Sequence, residues 1–200
     1  MGISLITLLI IVVTVLISIG GFNNSALMAK YQLNPYQVYH RKEWHRMLTH
    51  GFIHVDWTHL IFNMLTLFFF GKYVEVMIGN GFIYLLFYLS AIIVSSFTTL
   101  FKHKDDYLYN AVGASGGVSA ILFASILFNP DSSIMFLFFP VPIPGFIFGL
   151  IYIAYSHYMS RKESDNINHD AHLLGALYGF TVPLLFNLDY IKIFINQIFN

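Results

Sequence analysis

The sequence predicts an all-α membrane protein in which six helices cross the bilayer within a single domain, residues 1–200. Hydrophobic residues make up 57% of the chain and charged residues only 10%, whereas soluble domains have about 25% charged residues. The mean hydropathy is +0.68. Five stretches lack Asp, Glu, Lys and Arg and approach or exceed the roughly 20 residues that cross a hydrocarbon core. A sixth, residues 57–71, continues past a single lysine. We therefore expect a multi-pass integral membrane protein embedded in the lipid bilayer.

Turn residues divide the first half of the chain. The first helix ends at Gly20-Gly21, and the polar segment that follows, residues 22–56, mixes aromatic with basic side chains, which is typical of a membrane interface. A connection at residues 71–81 separates the second helix from the third, and a charged loop at 102–106 follows the third. The six helices are predicted at residues 3–19, 57–71, 82–101, 115–129, 144–159 and 171–188.

Prolines divide the second half. The fourth helix ends near Asn129, where Pro130 begins a turn. Residues 140–144 have proline at alternate positions and cannot form regular helix. The fifth helix is therefore expected to start near Pro144, a favourable first-turn residue. Residues 161–170 form the last polar loop.

Three polar residues stand near the starts of alternate helices: His59 on the second, Ser115 on the fourth and His172 on the sixth. With six crossings, the loops that precede these helices share one side of the membrane. The three side chains are therefore expected at matching depth, just below one surface.

Small residues recur every four positions on the fourth and sixth helices. They are Gly116, Ala120 and Ala124 on the fourth, and Ala171, Gly175 and Gly179 on the sixth. Such stripes let two membrane helices approach until their backbones nearly touch. Helix packing alone explains the stripes, but the same approach would bring Ser115 and His172 within hydrogen-bond reach.

Ser115 is a candidate nucleophile and His172 its general base. A serine hydroxyl is a poor nucleophile until an imidazole accepts its proton, and histidine titrates where it can do so. Taken alone, Ser115 is more typical of a small residue at a helix interface, but a histidine in a membrane helix is costly and usually functional. Asp170 would point away from His172 on a helix, so we expect a dyad, with Asp170 as a helix-start residue.

His59 and Asn63 are candidates for stabilising a negative oxygen. Their spacing places both on one face of the second helix, and both can donate the hydrogen bonds that a tetrahedral intermediate needs. The backbone N–H of Ser115 is free at a helix start and would add a third donor. Interhelical hydrogen bonding is the alternative explanation of this pair.

Other kinds of site find less support. Neither cysteine nor a carboxylate at ligand spacing accompanies the histidines, so no metal and no cofactor is expected. Zero net charge gives no basic face for nucleic acid. Residues 113–117 match the Gly-x-Ser-x-Gly turn of α/β-hydrolases, but that turn needs a preceding strand. The histidines weighed as metal ligands are His40, His45, His50, His54 and His59.

Together, these motifs resemble those of the rhomboid intramembrane serine proteases, over residues 3–188. They stand in the family's order as His59-Leu60-Ile61-Phe62-Asn63, Gly113-Ala114-Ser115-Gly116, and Ala171-His172-Leu173-Leu174-Gly175 with Gly179. The resemblance implies a six-transmembrane-helix rhomboid-like bundle with a long interfacial first loop. It also implies a Ser115–His172 dyad, with His59 and Asn63 in the oxyanion hole, that cleaves transmembrane segments of single-pass membrane proteins.

The resemblance extends to structural residues near the site. They are Arg46, Gly113, Gly116, Gly175 and Gly179. The chain departs from the family where His45 separates Trp44 from Arg46. It departs again at Ser119, where many members have an aromatic ring that stacks on the catalytic histidine.

Charge and family topology disagree about orientation. Six-helix rhomboids have a cytoplasmic N-terminus, which turns the first, third and fifth loops outward. Those loops hold eight of the ten Lys and Arg residues, whereas the positive-inside rule predicts the opposite orientation. We follow the family because a long interfacial loop weakens the rule, and we expect the plasma membrane of a prokaryote.

The expected function is that of an intramembrane serine endopeptidase. The fifth helix, entered through prolines, is the expected gate for substrate. The alternative is a non-catalytic rhomboid-like membrane protein that binds or routes transmembrane clients, against which the retained serine and histidines argue. A small transporter would need a continuous polar path, and the lower halves of these helices are apolar.

Overall fold

A computed structural model describes residues 4–136, 139–162 and 167–199, and nearly all of its regular structure is helical. The predicted helix start at residue 3, and residues 163–166 of the predicted last loop, lie outside the described residues. The helices are α1 (Leu5–Phe22), α2 (Ser25–Tyr31), α3 (Pro35–Arg41), α4 (Arg46–Thr49), α5 (Trp57–Thr66), α6 (Lys72–Ile78), α7 (Gly81–Ser95), α8 (Phe97–His103), α9 (Ser115–Phe128), α10 (Gly145–Lys162), α11 (His169–Phe186) and α12 (Asp189–Phe199).

The segment after α1 folds into the short helices α2, α3 and α4, followed by a 3-10 turn at His50–Phe52. The Asn24 and Asn34 side chains accept hydrogen bonds from backbone N–H groups at the starts of α2 and α3, as N-cap residues do. Leu33 exchanges two backbone hydrogen bonds of 2.9 Å with Ala111. The first loop is thereby tied to the segment that leads into α9.

The connection predicted at residues 71–81 is wrong. The second helix continues from α5 through a π-helical turn at Leu67–Gly71 into α6, and it ends at Ile78, capped by Gly79, where φ is +72°. A Cβ on the glycine that closes the π-helical turn would lie 2.8 Å from Thr7 Cγ2 and from Tyr84 Oη. This glycine therefore allows neighbouring helices to approach and does not end its own helix.

Other helix ends differ from the prediction by a few residues. The first helix runs through its glycines to Phe22, and the third continues to His103 with a break at Ser96. The last long helix begins at His169, two residues early, because the Asn168 side chain accepts a hydrogen bond from the Ala171 N–H and caps it.

A small hairpin interrupts the otherwise helical fold. Strands β1 (Ser133–Phe136) and β2 (Phe139–Pro144) pair antiparallel, with Ser133 opposite Pro144. The stretch at 140–144 predicted to be extended is most of β2. A two-stranded sheet leaves one edge of each strand unpaired, which tolerates prolines.

Three described helical segments have the length and composition of a membrane span: Leu5–Phe22, Trp57–Ile78 and Gly81–His103. A fourth is added if α11 and α12, between which the chain bends by 118°, count as one span. Helix α9 has only 14 residues, and every one after Ser115 is buried. The chain is therefore a mostly helical membrane protein built around a short central helix, and the six crossings stay a prediction.

Candidate active site

Helices α9 and α11 run parallel with their backbones in contact. A Cβ added to Gly175 would overlap the carbonyl oxygen of Gly116, and one added to Gly179 would lie 2.5 Å from Ala120 Cα. Only glycine leaves room for an approach this close. The first turns of the two helices are therefore adjacent, and these turns carry the predicted nucleophile and base.

Ser115 is the first residue of α9 and the one residue of that helix that is not fully buried. It lines a small cavity of about 10 Å³, close to the space that one water needs, and the other lining residues include Ser95, His50 and Asn168. Among the described residues, no hydrogen bond reaches the Ser115 hydroxyl. This hydroxyl is therefore not committed to a structural partner.

His172 is half-buried in the first turn of α11. The carbonyl oxygen of Ala171, the residue before it, lies 3.6 Å from the position of a Cβ on Gly116, the residue after Ser115. The two side chains thus leave the backbone from neighbouring positions. No hydrogen bond joins the two side chains among the described residues, so the expected bond remains a prediction.

Two aromatic rings beside His172 were not predicted from the sequence. The Tyr152 ring of α10 lies nearly parallel to the imidazole, with ring centroids 6.3 Å apart and planes at 25°. The His169 ring meets it edge-on at 5.7 Å. Asp170, in the first turn of α11, accepts a hydrogen bond of 3.0 Å from Lys102.

His59 lies against the loop that leads into α9. A Cβ added to Gly113 would sit 2.7 Å from His59 Nε2, and Gly113 adopts φ +117°, which L side chains rarely adopt. The structure therefore brings the His59 ring into contact with the residue two positions before Ser115. Asn63 is buried one turn further along α5, and its Nδ2 donates to the His59 carbonyl oxygen at 3.0 Å.

Two buried histidines of the first loop accept hydrogen bonds from the segment that leads into α9. The Gly113 N–H donates to the His50 carbonyl oxygen at 2.9 Å, and the Ala114 N–H donates to His54 Nε2 at 3.3 Å. His54 Nδ1 lies 2.9 Å from Ser18 Oγ. Because Nε2 accepts, Nδ1 must carry the proton, which makes His54 a neutral connector between α1 and the loop.

Burial explains why these two imidazoles remain neutral. Desolvation lowers the pKa of His50 to about 4. Desolvation, with further contributions from His59 and His50, lowers the pKa of His54 to about 3. From the sequence, His50 and His54 were considered only as metal ligands. The apolar residues around them were the signal for a structural role, because burial favours neutral, hydrogen-bonded side chains. In the described ranges, no group of three or more His, Cys, Asp or Glu side chains is arranged to hold a metal ion.

Arg46 joins separate parts of the first loop by hydrogen bonds. The residue is 5% exposed, and its guanidinium donates to the backbone carbonyls of Ala29 and Gln32 and to the side chains of Gln37 and Glu43, at 2.7–2.8 Å. By contrast, Trp44 is 52% exposed. The buried cation therefore fixes the geometry of α2, α3 and α4 through four hydrogen bonds from one rigid plane.

Comparison with known proteins places the chain in a family. The Rhomboid domain model matches residues 41–188. The putative rhomboid protease YdcA of Bacillus subtilis is 30% identical over 151 residues, which cover 72% of this chain and 67% of that protein. The mitochondrial RHOMBOID-like protein 12 of Arabidopsis thaliana is 29% identical over 147 residues, covering 66% of this chain and 43% of that protein. Rhomboid protease GluP of B. subtilis is 29% identical over 160 residues, covering 80% of this chain and 30% of that protein.

The chain thus spans less than half the length of two of these three relatives. The relatives include a bacterial, a mitochondrial and a chloroplastic protein. The location of this chain in the plasma membrane of a prokaryote therefore remains a prediction. The domain match and the apolar helices make this an integral membrane protein. The family match over most of the chain, together with a serine and a histidine on two helices in backbone contact, shows that the chain belongs to the rhomboid family.

Proposed function

We propose that the chain is an intramembrane serine endopeptidase that cleaves transmembrane segments of single-pass membrane proteins with a Ser115–His172 dyad. The observation that supports this most is the backbone contact of α9 with α11, which sets the residues flanking Ser115 and His172 against each other. In the absence of substrate, catalytic hydrogen bonds are often long and tighten only in the complex. The uncommitted Ser115 hydroxyl fits this behaviour.

In the proposed reaction, Ser115 Oγ attacks the carbonyl carbon of the scissile peptide bond while His172 takes the hydroxyl proton. His172 then gives that proton to the leaving amine, which departs and leaves an ester on Ser115. Water, deprotonated by His172, hydrolyses the ester and restores the serine. The cavity beside Ser115 supports this last step because it offers space for about one water and Ser95, His50 and Asn168 are among the residues that line it.

The negative oxygen of the tetrahedral intermediate needs donors that are already in place. We assign this role to the His59 ring, the Asn63 amide and the backbone N–H of Ser115. Support comes from the contact of His59 with Gly113 and from the position of Asn63 one helical turn away on the same face. The Asn63 amide has a second N–H besides the one bound to the His59 carbonyl.

The proposal includes the six-helix rhomboid arrangement with a central α9. A helix enclosed by its neighbours need not cross the whole hydrocarbon core, so its first residue can lie below the membrane surface with water above it. The 14 residues of α9 and the burial of all but Ser115 support this view. A substrate helix must unwind locally before attack, because its carbonyls are otherwise hydrogen-bonded and shielded.

Helix α10, which follows the proline-rich strand β2, is the proposed gate for substrate. The chain contains no cysteine, so a cysteine introduced on each of α5 and α10, at positions whose Cα atoms come within about 7 Å, has only the other as its disulfide partner. Oxidation is expected to stop cleavage of transmembrane segments, and reduction to restore it. Unchanged cleavage after complete oxidation would show that α10 does not gate entry.

The function is tested with purified protein in detergent, a panel of single-pass segments and a fluorophosphonate probe. We expect cleavage and labelling of the intact chain, and a loss of about a thousandfold or more in Ser115→Ala and His172→Ala. Ser125→Ala is the matched control, because Ser125 lies on the same helix with its hydroxyl bound to the Leu122 carbonyl. A folded protein that neither cleaves nor reacts would favour the non-catalytic rhomboid-like alternative.

A further inference from the structure

Two tyrosines of α10 face two histidines of α11. Tyr152 lies nearly parallel to His172, with centroids 6.3 Å apart, and Tyr155 meets His169 edge-on at 5.7 Å. The tyrosines are three residues apart on one helix, and the histidines are three apart on the other. The two pairs therefore form one antiparallel contact that ends at the proposed catalytic base.

The Tyr152 side chain is held on its remaining sides. Its hydroxyl lies 2.6 Å from Ser119 Oγ, and its ring contacts Phe123 at 5.4 Å and Phe148 at 6.1 Å. Ser119 and Phe123 belong to α9, the helix that begins with Ser115. Tyr152 thus bridges α10 to both helices that carry the proposed dyad.

A histidine base must keep its imidazole in one plane to reach the serine hydroxyl, yet rotation of an imidazole about its last bond is only weakly restricted. A parallel aromatic ring opposes tilting of the imidazole because offset-stacked contact is lost when the planes separate. Tyr152 supplies such a ring, and the Ser119 hydroxyl fixes it.

We propose that Tyr152 is a positioning residue for the base His172, an assignment that rests on the proposed function. The tyrosine ring holds the imidazole plane, and the hydroxyl–hydroxyl contact with Ser119 keeps the ring in register with α9. Tyr152 takes no proton and touches no reacting atom in this role. Its loss should therefore slow the chemical step without weakening the capture of the probe.

The test measures fluorophosphonate labelling of Ser115 as a maximal rate, kinact, and a half-saturating concentration, KI. Tyr152→Leu, which removes the ring, is expected to lower kinact about tenfold, the upper range for an aromatic pair, and to leave KI unchanged. Tyr152→Phe keeps the ring and is expected to retain kinact within about threefold. Tyr158→Leu is the matched control on the same helix, because Tyr158 is exposed and its ring contacts Lys162.

The outcomes separate this inference from the proposed function. If wild type is not labelled, the proposed function fails and Tyr152 is not at issue. If wild type is labelled and Tyr152→Leu shows the wild-type kinact, or a change in KI alone, the inference is overturned. Thermal unfolding checks the fold of each variant, and Tyr152→Met, which fills the space with a flexible apolar chain, decides the matter if the leucine variant does not fold.

Discussion

The contact between α9 and α11 and the network around the first loop both converge on Ser115, but they hold it by different physical means. Between α9 and α11, backbone meets backbone, and a Cβ on Gly175 would collide with Gly116. Around the first loop, buried polar groups hold the backbone through hydrogen bonds, as the His50 carbonyl oxygen does for Gly113 and the His54 ring does for Ala114.

This difference decides what each region tolerates. A steric contact fails when volume is added, whatever the charge or pH. A buried hydrogen-bond network fails when a partner is removed or gains a charge, because an unpaired buried polar group costs about 1–3 kcal/mol. The same site should therefore respond to size on one side and to protonation on the other.

The largest effect is expected where volume enters the steric contact. Gly179→Ala forces α9 and α11 apart, because its Cβ would overlap the Ala120 carbonyl oxygen. We expect a loss of about 3 kcal/mol in the free energy of unfolding and the loss of probe labelling. Denaturation in mixed detergent measures the first, and gel fluorescence the second.

The same substitution at Gly20 is the matched control, since the nearest atom to its Cβ position, Leu27 Cδ1, is 3.9 Å away. This variant should match the wild type. A Gly179→Ala protein as stable and as reactive as wild type would show that the backbones are not in contact.

The next largest effect is expected at Gly113, where the two regions meet. Gly113→Ala adds strain at φ +117° and pushes the His59 ring away, so we expect a cost of about 2.5 kcal/mol and roughly hundredfold slower labelling from a misplaced site. Gly79→Ala also strains a positive φ, of +72°, but a backbone oxygen 4.0 Å away is the nearest atom to its Cβ. It should lose stability and keep its labelling rate; equal slowing in both variants would argue that strain alone matters.

A smaller effect is expected in the first loop. Arg46→Lys keeps the charge but loses the planar set of donors that reaches four partners, so we expect a cost of about 2 kcal/mol. Arg41→Lys, at an exposed position, is the control and should cost nothing measurable. Unfolding free energies in detergent decide between them, and equal values would show that the buried guanidinium is not needed.

The smallest effect is expected from a change of pH. Only the hydrogen-bonded region around the first loop should lose stability when the pH falls. The pKa of His50 is lowered to about 4 and that of His54 to about 3, so the unfolded chain binds more protons below pH 6.5. Their contribution to stability is complete above pH 6.5 and is lost as pH falls toward 4, by about 1.4 kcal/mol per pH unit for each histidine.

His54→Asn should remove about half of this slope, whereas His157→Asn, at an exposed histidine, serves as the control. Unfolding free energies between pH 7.5 and 5 give the slopes. An unchanged slope in His54→Asn would mean that His54 is not buried as a neutral base.

The sequence predicted the steric region better than the polar one. Four-residue spacing of small residues has one common physical meaning in membrane helices, so Gly116, Gly175 and Gly179 pointed to a close helix contact before any coordinates. Gly71 was misjudged because a glycine can end a helix or allow another helix to approach, and only its neighbours Thr7 and Tyr84 decide which.

Contacts between distant segments could not be obtained from periodicity. The sequence offered no partner for Ala114, whose N–H binds His54 from 60 residues earlier. It also offered no aromatic neighbour for His172, because Ser119 stands where rhomboids often have a ring; the ring beside His172 comes from Tyr152 on another helix. Such pairs depend on how helices pack, which a single sequence does not encode as a pattern.

The structure of the protein after reaction with a fluorophosphonate tests the account most directly, since the adduct's tetrahedral phosphorus stands for the intermediate. We expect phosphorus bonded to Ser115 Oγ, a His172 ring nitrogen within hydrogen-bonding distance of the adduct, and a phosphoryl oxygen directed at His59 and Asn63. An adduct on another residue, or a His172 ring turned away from Ser115, would contradict it.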